Sequence, residues 1–123
     1  MNRDWKRLCA VAAAEVAATL AALPKPLRAR AKKLPVTFER RPNADLQADG
    51  IEPDTLGLFT GAEFAEEGNV PIPPQIILFM ENLWDFAEGD EVIFREEVRT
   101  TFLHELGHYL GLEEDEIAGR GLE

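Results

Sequence analysis

Apolar residues recur along the chain with two periods. From Trp5 through Leu8, Ala12, Val16 and Leu20 to Leu23 they fall every three or four positions, the spacing of one helix face. Alanine, the strongest helix former, fills much of the interval, so the pattern predicts a helix over about residues 3–22. Pro24 and Pro26 end it. The basic run 25–34 (KPLRARAKKL) has room for a short helical turn. Between Pro35 and Arg40 (PVTFER) the period drops to two, with Val36 and Phe38 on one side, and predicts a strand. Pro42 to Pro53 is polar and turn-rich, with Asp49-Gly50 as a turn signal. Thr55 to Gly61 (TLGLFTG) is a second candidate strand, weakened by Gly57. Glu63 to Pro74 reads as a loop.

Gln75 to Met80 (QIILFM) is the strongest strand, apolar throughout and β-branched at Ile76 and Ile77. That character suits a central strand better than an edge strand. Glu81 to Ala87 (ENLWDFA) forms a short helix or carries the strand into a turn. Asp90 is a good N-cap, with Glu91 placed in the first turn behind it. A long amphipathic helix follows over 91–110, its stripe set by Phe94, Val98, Phe102, Leu106 and Leu110 and widened by Leu103 and Tyr109. Gly111 stands where a helix-terminating glycine belongs. The order predicts an α+β fold in which the long helix packs on a small sheet, mostly antiparallel or mixed, beside an N-terminal helix.

Composition narrows the possible functions. A net charge of −10 argues against DNA binding and disfavours RNA. The charge is unevenly placed: residues 1–41 carry +7 and residues 42–123 carry −17, so the basic first third is expected to lie on an acidic body. A single cysteine, Cys9, excludes an internal disulfide and a multi-thiolate zinc site, and it suits the reducing cytoplasm. A basic start before Ala-Val-Ala-Ala-Ala imitates a signal peptide, but Asp4 and Glu15 interrupt the apolar region. No apolar run reaches transmembrane length, so no membrane partner is expected.

Both histidines of the chain lie in HELGHYLGLEEDE, residues 104–116. Residues four apart on a helix differ by about 40° around its axis, so His104 and His108 point the same way and can share one zinc ion. Glu105 is turned about 100° from His104, well placed for a metal-activated water and poorly placed as a third ligand. Chance produces His-Glu-x-x-His in a chain this short on the order of once in a few hundred sequences. Gly111 lets the chain turn sharply after the helix, bringing a later carboxylate back as third ligand. Glu114 stands at the best offset, Asp115 competes, and Glu116 is a weaker choice. Glu97, Thr100 and Thr101 precede the motif at helical intervals, either to orient the histidines or as a plain polar face. Tyr109 follows a histidine on the apolar stripe and is expected in the core.

The run His104-Glu-Leu-Gly-His-Tyr-Leu-Gly-Leu-Glu114 resembles the zincin metallopeptidases, and more narrowly the small bacterial minimal-zincin (minimal gluzincin) family with the pattern His-Glu-x-x-His-x-x-Gly-x-x-Glu. The resemblance extends more loosely to PPQIILFMENL (73–83), EEVRTTFLHELGH (96–108) and the N-terminal helix. It implies one zincin-like domain over 1–123, with a basic helix and arm over about 1–34 and the sheet and motif helix over about 35–117. It further implies a Zn2+ cofactor held by His104, His108 and Glu114, with Glu105 as general base, acting on a peptide or protein substrate. The pattern departs from metzincins, which have histidine at the position of Glu114 and a downstream methionine turn, whereas the methionines here are Met1 and Met80. The competing expectation is a metal-binding zincin-like domain that cleaves nothing and serves as a protein-interaction module.

Overall fold

The computed structural model describes residues 2–61 and 73–111, with side chains from Asp4 onward. Helix α1 (Asn2–Ala21) and the short α2 (Lys25–Ala31) precede strand β1 (Val36–Glu39). Helix α3 (Ala44–Ala48) leads to β2 (Gly57–Thr60). Strand β3 (Gln75–Phe79) runs without a break into α4 (Met80–Phe86), and α5 (Glu91–Tyr109) follows. Among the described residues no helix is long and apolar enough to cross a membrane.

The sheet is mixed, in the order β1-β3-β2. β1 runs parallel to β3 with Val36 opposite Ile76, and β2 runs antiparallel with Phe59 opposite Ile76. The most apolar strand is therefore central, as its composition predicts. α5 packs on β2 and β3, and α1 packs against α5. The predicted stripes form the core: Leu8, Ala12, Val16 and Leu23 from the N-terminal segment, and Phe94, Val98, Phe102 and Leu106 from α5. Leu103 and Tyr109 are buried with them, and Ile76, Leu78, Phe79, Met80 and Leu83 complete the core from β3 and α4.

Two features depart from the expected elements. The polar segment after Pro42 contains α3, capped by Asn43, whose side chain accepts from the Leu46 N–H at 2.9 Å. The Asp49-Gly50 signal is the end of that helix, closed by the Ile51 N–H donating to the Leu46 carbonyl at 3.0 Å. The helix after β3 also starts at Met80 rather than at Glu81.

Buried Asn82 ties α4 to the segment that leads into β2. Its amide nitrogen donates to the carbonyls of Pro53 (2.8 Å) and Thr55 (2.9 Å), and its oxygen accepts from Arg41 (2.6 Å). Arg41 also grips Glu81 and Asp85, and the hydrogen bond to Asp85 leads the effects that push its guanidinium pKa further up. Arg40 bonds Glu81 at 2.8 Å and lies over the Trp5 ring, 4.5 Å from its centroid. Arg7 pairs with Glu91. At these positions the basic first third lies on the acids of α4 and α5, as the charge distribution suggests.

Candidate metal centre

Helix α5 is the scaffold of the centre. Asp90 caps it through its side chain, accepting from the N–H groups of Val92 (2.9 Å) and Ile93 (3.1 Å). The buried stripe from Phe94 to Leu106 fixes its rotation, which leaves His104, Glu105 and His108 half-buried at the far end. The helix stops where glycine predicts. Gly111 has φ 76°, a value costly for any residue with a Cβ, and its N–H bonds the His108 carbonyl at 3.0 Å.

The two histidines meet as their spacing requires. Their Nε2 atoms are 3.2 Å apart, and the rings cross at 83° with centroids separated by 4.8 Å. A ligand atom from each of His104, Glu105 and His108 can be chosen so that all three lie within 4.8 Å of one another. Glu114, Asp115 and Glu116 fall outside the described residues.

A second stripe of α5, next to the histidines, runs along β2. It consists of Thr101, Glu105 and Tyr109, each one turn after the last. A Cβ placed on Gly57 would lie 2.5 Å from Thr101 Cγ2 and 3.2 Å from Leu78 Cδ2. Gly57 thus lets the strand approach the helix closely, and this requirement outweighs its poor strand propensity. Thr101 is buried and packs at this contact. Tyr109 is buried in the core and meets the Phe59 ring edge-on, with centroids 5.8 Å apart.

Between these contacts Glu105 reaches the strand. The Phe59 main-chain N–H donates to Glu105 Oε1 at 3.0 Å. The register explains why that N–H is available. Phe79 N–H donates to the Leu56 carbonyl at 3.0 Å, so bonded pairs alternate from there and the main-chain groups of Gly57 and Phe59 point away from β3. Sequence reasoning could not find this contact, because a backbone amide has no residue signature. The available signal was a glycine in a strand and a threonine one turn before Glu105.

A cavity of about 310 Å³ lies elsewhere, lined by Leu8, Val11, Trp84 and Phe94 with Arg7 and Glu91 among its charged residues. It reaches α5 near the helix start, roughly 20 Å along the axis from His104.

No curated protein matches the chain. A family model described as zincin-like metallopeptidase matches residues 31–122. That span takes in β1, the rest of the sheet and the whole motif helix, and the chain belongs to the zincin-like metallopeptidase family.

Proposed function

We propose that the protein is a zinc-dependent metallopeptidase in which His104, His108 and Glu114 hold the metal and Glu105 is the general base. One observation carries this reading: the paired Nε2 atoms of His104 and His108, 3.2 Å apart. Two nitrogens at the usual zinc distance of about 2.0–2.1 Å, in tetrahedral arrangement, stand about 3.3 Å apart, so the pair fits the ion with little adjustment. Membership of the zincin-like family supports the same ion and the same reaction class.

Zinc supplies Lewis acidity, acidifying a water and stabilising negative charge on the scissile carbonyl oxygen. Glu105 takes the proton of the attacking water and returns it to the leaving amine. A carboxylate oxygen of Glu105 lies within 4.8 Å of a ring nitrogen of each histidine, close enough to serve a water held at the pair. Among the described residues β2 is an edge strand, and its outward groups, which face away from β3, offer a line along which an extended peptide can pair. QIILFM lies one strand further in and is flanked on both sides.

The test pairs metal content with cleavage. Purified protein should hold one zinc per chain by elemental analysis and cleave members of a peptide library. Glu105→Gln should keep the zinc and lower kcat by about 10²–10⁴-fold. His104→Ala should lose the metal. If wild-type protein with one zinc per chain cleaves nothing in a broad library, the peptidase reading fails and the interaction-module reading takes its place.

A further inference from the structure

We propose that the main-chain N–H of Phe59 is the positioning group for Glu105, tethering the general base to the strand that lies beside the substrate line. This rests on the peptidase reading above and adds to it a fixed partner for the base. The glutamate side chain has three rotors and stands half-buried at the end of a helix, so the helix alone leaves its carboxylate several places to go. The hydrogen bond from Phe59, at 3.0 Å, selects one of them.

The anchor is itself held in place. Gly57 is pressed against Thr101 and the Phe59 ring against Tyr109, so α5 grips β2 one turn before and one turn after Glu105. Asn82 fixes the incoming segment through the Pro53 and Thr55 carbonyls. The amide therefore holds its place relative to the histidines, which stand on the same helix. The N–H bond to Oε1 holds the plane of the carboxylate, and with it the lone pairs that take the proton of the water and hand it on.

The tether also limits how a peptide pairs with β2. Of the groups turned outward by the register, the Phe59 N–H is already engaged. A peptide on this edge pairs through the Phe59 carbonyl and the groups of Gly57, which fixes its register relative to the base.

Amide hydrogen exchange followed by NMR on the zinc-loaded full chain tests the tether directly. The Phe59 amide should be protected in wild type and in Glu105→Gln, whose side-chain oxygen still accepts. In Glu105→Ala it should exchange at least about tenfold faster, while Leu58 and Thr60, bonded to β3, stay unchanged. Replacing the Phe59 amide by an ester removes the N–H, weakens the Leu58 carbonyl as an acceptor, and leaves every side chain unchanged. That form should keep its zinc and its KM and lose about 10- to 100-fold in kcat, the cost of a misplaced catalytic group. A strand that merely shaped the substrate line would move KM instead.

Equal Phe59 exchange in wild type and Glu105→Ala overturns the tether, and this measurement needs no change at residue 59. An unchanged kcat in the ester form overturns the positioning role. Robust cleavage that depends on Glu105, found together with either result, removes the positioning role of Phe59 and leaves the peptidase reading standing. A zinc-loaded wild type that cleaves nothing removes the peptidase reading and the base role with it.

Discussion

Gly57 and Thr101 are the residues on which the spacing between strand and motif helix turns. A methyl at Gly57 would fall 2.5 Å from Thr101 Cγ2, far inside van der Waals contact. Gly57→Ala should therefore cost about 1–3 kcal/mol of stability in urea denaturation, as overpacked sites do. Adding Thr101→Ser, which deletes the clashing methyl, should recover part of that loss, and the two effects should be non-additive. Equal stabilities for the single and double variants would mean that the strand simply moves away. At this scale the candidate site was only half legible. The histidine pair is written in a four-residue spacing that geometry translates directly. The Phe59 contact depends on how two distant segments meet, and no residue type marks it.

Among the elements, α4 determines where β2 begins. Asn82 is buried and gives both its N–H donors to carbonyls of the preceding segment. Asn82→Leu keeps much of the volume and leaves the Pro53 and Thr55 carbonyls without that partner. It should destabilise the fold by about 2–4 kcal/mol in denaturant unfolding, with loss of exchange protection spreading into β2. α1, α5 and β3 were legible because burial along one face, or along both, imposes a period or a continuous apolar run. α3 was not, since a five-residue helix rests on its Asn43 cap and shows no stripe. The parallel pairing of β1 with β3 was not legible either, because strand order comes from contacts far apart in sequence.

Across the whole molecule, the long motif helix joins two functions of the fold. Its buried stripe holds α1 on one side and the sheet on the other, and its last turns carry the histidines. The proposed metal site is therefore linked to global stability. Chelating the zinc should lower the thermal midpoint, since a ligand present at 100 times its Kd stabilises by about 2.7 kcal/mol. A midpoint that ignores chelator would show that the ion is bound without selecting the folded state. The ion pairs of Arg7 and Arg41 are largely exposed and should contribute little to that midpoint, so added salt should barely move it.

The hydrogen bond between Phe59 and Glu105 also bears on how the protein keeps to itself. An edge strand with unsatisfied amides is a template for a second chain, and proteins blunt such edges with charge. Here the blunting carboxylate is Glu105, so the group proposed as general base also occupies an outward amide of β2 that a second chain would otherwise take. The two ways of removing the proposed base are then unequal. Glu105→Gln keeps an acceptor on the Phe59 amide and makes a clean substrate trap. Glu105→Ala bares the edge, and light scattering of the concentrated alanine form should reveal dimers or larger species that the glutamine form lacks.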